Sequence, residues 1–86
     1  MRLPIIRHIS NFIEENDEDF VHETIETLEN LTELPSLKDE ELDVIGELLS
    51  NMYGAIEVNK MMREEGVSQR DATNKFMERV MGSIDS

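Results

Sequence analysis

Between Pro35 and Gly66 the chain has no proline and keeps a helical period almost throughout. Leu42, Ile45, Leu49, Met52 and Ile56 recur at alternating spacings of three and four, the rhythm of a packed helical seam. Ser36, followed three residues later by Asp39, resembles a capping box with Asp in place of the usual Glu. Gly66 is a helix-end signal. The segment therefore starts near Ser36 or Asp39 and runs to Glu65. A helix of about 27 residues is about 40 Å long. A chain of 86 residues that contains it must fold around it.

The same segment carries Gly46, Ser50 and Gly54, each four residues from the next. Each glycine should weaken a helix by about 1 kcal/mol relative to alanine. On a helical wheel these three lie away from the Ile45–Leu49–Met52–Ile56 stripe. Small residues four apart let another backbone come close. They are candidate interaction residues, with a second helix, from another subunit, expected to cross at Gly54. Length points the same way, because one short neighbour cannot cover a 40 Å helix. Twofold dimers are the commonest oligomer, so a homodimer is expected.

Three shorter helices accompany the long one, and no stretch alternates as a strand does. The first runs from about Pro4, which suits a first helical turn, to Glu15. Its stripe is Ile5, Ile6, Ile9, Phe12 and Ile13. Asn16-Asp17 interrupts it, and either residue can cap the next helix. The second runs from about Glu18 to Glu33 and is stopped by Pro35. Phe20, Val21, Thr24, Ile25, Leu28 and Leu31 form its apolar face; Asp19, Glu23, Glu26, Glu29 and Glu33 form the other. The fourth starts at Ser68–Asp71, spans about Gln69 to Met81, and is ended by Gly82. Ala72, Phe76, Met77 and Val80 are its buried face. Met61, on the Gly54 side of the third helix, is placed to join a second interface. The expected fold is all-α: one domain over residues 1–86, four helices in an antiparallel, bundle-like arrangement around a long third helix.

The net charge of −12 is concentrated. Residues 14–47 hold fourteen acids against Lys38 alone. Nucleic acid needs a basic footprint, which is missing. An anionic membrane surface would repel the chain. No apolar run reaches the roughly 20 residues of a membrane span, and there is no signal-peptide profile, so a cytoplasmic protein is expected. Cysteine is absent, which removes disulfide and thiolate chemistry. Glu23, Glu26 and Glu33 are the candidate docking carboxylates for a basic protein partner, steered from a distance by charge.

Motifs for chemistry do not assemble. Asp19-x-x-His22 has the carboxylate–histidine spacing of metal-binding bundles, but those need two such motifs plus two more inward carboxylates. "EENDEDF" is acidic enough for calcium, yet from Asn16 or Asp17 the sixth position is Val21 or His22, not glycine. No nucleophile motif accompanies His8 or His22, and the four glycines form no phosphate loop. Neither an enzyme nor a cofactor is expected. Ser36-Leu37, at a helix start in an acidic helical chain, resembles the pantetheine-bearing Asp-Ser-Leu of acyl carrier proteins. Here Pro35 precedes the serine and the glycine of that motif is missing, so a capping serine is the expectation. A carrier-like domain and a metal-binding bundle stand as alternatives.

"NDEDF", "ETIETLENLTELPSLKDEELDVIGELLSNMYGA" and "FMERVMGSID" together cover most of the chain. They resemble an uncharacterised family of short, acidic helical proteins from Bacteroidetes. That resemblance implies a helical fold and a cytoplasmic place, and no activity. The expectation for function is a non-enzymatic protein–protein interaction module, homodimeric, with an acidic docking face.

Overall fold

Pro4 lies in the first turn of α1 (Leu3–Glu15), where its missing N–H has no carbonyl to meet. The computed structural model describes residues 1–85, with side chains through residue 82. Asn16 closes α1, its backbone N–H bonding to Phe12 O at 2.9 Å. Asp17 opens α2 (Asp19–Leu31) by accepting the Asp19 N–H at 3.0 Å. α2 ends earlier than the sequence suggests, in a turn at Thr32 and Glu33. The Thr32 hydroxyl donates back to Glu29 O at 2.6 Å and competes with a further helical turn.

α3 spans Asp39–Glu65, and its N-cap is Lys38, not Ser36. Glu41 reaches back to accept the Lys38 N–H at 2.9 Å, which takes over the role expected of the Ser36–Asp39 pair. Three acids in the first turn, Asp39, Glu40 and Glu41, face the positive end of the helix. Gly66 ends α3 at φ 67°, a left-handed conformation that a Cβ would strain. The Ser68 hydroxyl then caps α4 (Gln69–Asp85) through the Asp71 N–H at 3.1 Å. Gly82 does not end α4, which continues to Asp85.

Cross-helix contacts set the directions. Arg2 N–H donates to Asn51 Oδ1, and Ser10 to Asn59 Oδ1, so α1 runs parallel to α3. Glu18 pairs with Arg63, and Glu29 with Tyr53, so α2 runs the other way. Lys75–Glu65 and Arg79–Glu57 place α4 antiparallel to α3 as well. The bundle is up-down-up-down, all-α among the described residues, and built around α3. The Cα envelope measures 44 × 35 × 18 Å, its long side set by α3 and its short side by about two helix layers.

The core is Ile6 and Ile13 of α1, Val21 and Ile25 of α2, Ala55, Val58 and Met61 of α3, and Ala72 and Phe76 of α4. It differs from the expected stripe on α3. Of that stripe only Ile45 is buried; Leu42, Leu49, Met52 and Ile56 are half-buried. The reason is that α3 has three neighbours, so its seams point three ways. Met61, placed at a second interface by the sequence, is buried in this core instead. Ser10, Asn51, Asn59 and Thr73 are buried too, each hydrogen-bonded. Ser10 donates to Asn59 at 2.5 Å and accepts from Gln69 Nε2 at 3.0 Å. A buried polar link satisfied in only one alignment fixes how α1 sits on α3 and α4.

Candidate interaction surface

The three small residues of α3 do not share one environment. Gly54 is buried, and a Cβ there would lie 3.1 Å from Ile6 Cδ1 and 3.2 Å from Phe76 Cε1. The close approach is real, but it is made by α1 and α4 of the same chain. Gly46 is open, with nothing within 4 Å of the position a Cβ would take. Ser50 is half-buried and donates its hydroxyl to Glu47 O at 3.2 Å within its own helix. A second subunit therefore has Gly46 and Ser50 to meet, and not Gly54.

The acid face of α2 stands in solvent. Glu23, Glu26 and Glu33 are all exposed. The Glu23 and Glu26 carboxylates have no partner among the described residues, and Glu33 accepts only a 3.4 Å contact from Asn30 Nδ2. Glu29 differs from them. Its carboxylate accepts the Tyr53 hydroxyl at 2.7 Å, and this holds the phenol above its usual range. Glu29 thus ties α2 to α3, while the other three carboxylates point outward.

Beside that face the structure shows what the sequence did not. α1 and α2 diverge over α3 and leave a cleft of ≈ 360 Å³ lined by Ile9, Phe12, Phe20, Val21, Thr24 and Met52, with His8 at its edge. Phe12 and Phe20 meet edge to face, centroids 6.1 Å apart, yet Phe20 is 55 % exposed. On α3, Val44, Leu48, Asn51, Ala55, Val58 and Met62 form one seam, spaced four, three, four, three and four residues apart. α1 lies over the later members, beginning at Asn51, where Arg2 bonds. Val44 and Leu48 precede it, and are 59 % and 37 % exposed. This seam is distinct from the Leu42–Ile45–Leu49–Met52–Ile56 stripe expected from the sequence.

A second recess, ≈ 460 Å³, lies where α1, α3 and the α3–α4 link meet, and Glu14, Glu18, Asn59 and Arg63 supply its polar atoms. Glu18 Oε1 is buried without a hydrogen bond, 3.6 Å from Arg63 Nη1, while Oε2 meets His22 Nε2 at 2.8 Å. Of the carboxylates spaced to reach His22, it is thus Glu18, four residues before it, that pairs with the ring, and not Asp19 of the Asp19-x-x-His22 spacing. No three His, Asp or Glu side chains converge as a metal site among the described residues. Ser36 stands exposed in the turn ahead of α3, outside the N-cap where a carrier serine would lie.

What fold and surface define is a small all-α bundle with an acidic helix and an uncovered apolar cleft. The chain belongs to a family of unknown function, DUF6952, whose model matches residues 1–85. Comparison with curated proteins and with solved structures gives no match. Among the described residues no helix is long and apolar enough to cross a membrane.

Proposed function

We propose that this chain is a non-enzymatic protein–protein interaction module that receives a basic partner on the acidic side of α2. The observation that supports it is adjacency: exposed Phe20, at the apolar cleft, shares a recess with Glu23, whose carboxylate has no partner among the described residues. Unpaired charge gives reach and orientation, and exposed apolar surface gives residence. The setting we infer is the cytoplasm of a member of the Bacteroidetes, on the family resemblance.

The test is affinity capture from native lysate, with the wild-type chain and a Glu23→Gln/Glu26→Gln/Glu33→Gln variant side by side. A basic protein held by the first, released by about 0.5 M salt and weakly held by the second, supports the reading. Identical proteins on both, at both salts, refute it. A homodimer is the second reading, favoured by the open surface at Gly46 beside half-buried Ser50. It predicts twice the chain mass in solution, reverting to one chain mass in Gly46→Leu.

A further inference from the structure

We propose that a recess between α1 and α4 binds a small, hydroxylated phosphate monoester. No residue of α2 lines it, and the inference does not depend on the docking reading above.

Helical spacing builds the walls. Leu3 and Arg7 stand four residues apart on α1, so they share a face. Gln69 and Thr73, and Arg70 and Asn74, stand four apart on α4 and share a face in the same way. Where α4 packs against α1, these faces leave a recess of ≈ 420 Å³. Leu3 is the single apolar residue lining it, and no acid lines it. That is unusual in a chain with twenty acids against eight lysines and arginines. Arg63, Lys75 and Arg79 each pair with a glutamate. Arg7 and Arg70 have no partner among the described residues. Asp71 follows Arg70 in the chain but does not line the recess, and its charge acts on Lys75 one turn on. Two guanidiniums that line one recess repel each other, and an anion between them removes that repulsion.

The donors decide which anion. Each guanidinium presents a planar fork of N–H groups that matches an oxyanion edge. A carboxylate has one such edge and satisfies one fork. A phosphate monoester has three terminal oxygens and close to two negative charges at neutral pH, so it serves both forks. The remaining polar groups describe the ester. Gln69 Nε2 already donates to Ser10 Oγ at 3.0 Å and to Asn11 Oδ1 at 2.8 Å, which leaves its carbonyl oxygen as an acceptor. The buried Thr73 hydroxyl donates to Gln69 O at 2.7 Å and keeps its lone pairs. Both call for hydroxyl donors on the ligand, and Asn74 can serve either way. A long polyanion is a poor occupant, because it would run on toward the fourteen acids of residues 14–47. A compact dianion meets the two arginines, and charge beyond about 8 Å is largely screened at physiological salt.

The experiment titrates the full, isotope-labelled chain at constant ionic strength with ribose 5-phosphate, inorganic phosphate, succinate, ribose and a short phosphoserine peptide. NMR reads the Thr73 amide and the Nε–H resonances of Arg7 and Arg70. Ribose 5-phosphate should move all three saturably. Inorganic phosphate should move the same set with lower affinity, and succinate and ribose should bind at least about tenfold more weakly than ribose 5-phosphate. Arg7→Gln/Arg70→Gln, at two exposed positions, should weaken ribose 5-phosphate at least about tenfold with circular dichroism unchanged. Arg7→Lys/Arg70→Lys keeps the charge without the forks and should fall between wild type and the glutamine variant. Shifts that never saturate, or that persist in the glutamine variant, would show a general salt effect and overturn the proposal. Succinate as tight as ribose 5-phosphate would show a two-charge contact with no phosphate preference and overturn it. Inorganic phosphate as tight as the ester would refute the part given to Gln69 and Thr73. Tighter binding of the phosphoserine peptide would place a modified protein in the recess and overturn the small-molecule assignment.

Discussion

Two glycines of one helix should respond differently to the same substitution, with a gain at Gly46 and none at Gly54. Gly46→Ala replaces a flexible residue in a helix interior, and nothing within 4 Å opposes the new methyl. Its gain should be close to the intrinsic difference, about 1 kcal/mol. For a domain of this size that is a rise of about 4–8 °C in melting temperature. Gly54→Ala starts with the same gain. Its methyl, however, arrives 3.1 Å from Ile6 Cδ1, 3.2 Å from Phe76 Cε1 and 3.4 Å from Ile6 Cγ1. Carbon atoms in comfortable contact sit about 3.5–4.0 Å apart. Ile6 is fully buried and Phe76 nearly so, which leaves both little room to retreat. Overpacking costs about 1–3 kcal/mol, enough to cancel the helix gain or exceed it. Gly54→Ala should therefore range from neutral to about 2 kcal/mol destabilised, and Gly54→Leu should lose at least about 3 kcal/mol. Urea denaturation followed by far-ultraviolet circular dichroism, at a concentration where the chain is monomeric, reads all three. If Gly54→Ala stabilises as much as Gly46→Ala, the close crossing of α1 and α4 over Gly54 is wrong.

Other consequences are as concrete. Tyr53 is the single tyrosine and there is no tryptophan, so ultraviolet absorbance titrates it directly. Its midpoint should lie above that of free tyrosine and fall in Glu29→Gln. Because the folded state keeps the proton longer, the associated stability is present below the unfolded value and is lost as pH rises through the folded one. Glu65 should titrate lower by NMR than an unpaired glutamate, because Lys75 donates to it at 2.7 Å, and Lys75→Met should return it to the ordinary range. Stability from that carboxylate is present above its unfolded value and is lost as pH falls through the lowered one. Asn59→Ala leaves the buried Ser10 hydroxyl without its acceptor, so a loss of about 1–3 kcal/mol in urea denaturation is expected. No change would mean that water replaces the amide.

The elements were legible because their boundaries are local chemistry. Pro4, Ser68 and Gly66 act within their own turns, and the chain did at those places what the residues require. Lys38 was not legible as a cap because the stabilising group is Glu41, acting through the backbone of a residue with no capping side chain. Packing is less legible in the sequence. The rule that one stripe faces the core holds for a helix with one neighbour, whereas α3 has three. Thus Gly54, Ala55 and Met61 proved more buried than Leu42 or Leu49. The spacing of Gly54 signalled a close approach and could not say from which molecule. Phe12 and Phe20 were assigned to apolar faces, but their mutual contact at the mouth of a cleft depends on the angle between α1 and α2. No single-helix pattern contains that angle. The acid face of α2 was visible from helical spacing, but the pairing of Glu29 with Tyr53, which sets it apart from Glu23 and Glu26, depends on how α2 lies on α3.

If the acid side of α2 is a docking surface, its charge must speed association, and an association rate measures that directly. The captured partner is presented with the wild-type chain and with the Glu23→Gln/Glu26→Gln/Glu33→Gln variant, from low salt to about 0.5 M. Glutamine keeps the helix, since its propensity is close to that of glutamate. The prediction is a slower on-rate for the variant at low salt, with the two rates converging as salt screens the wild-type charge. On-rates equal at every salt concentration would contradict it and leave the acids of α2 with no part in binding.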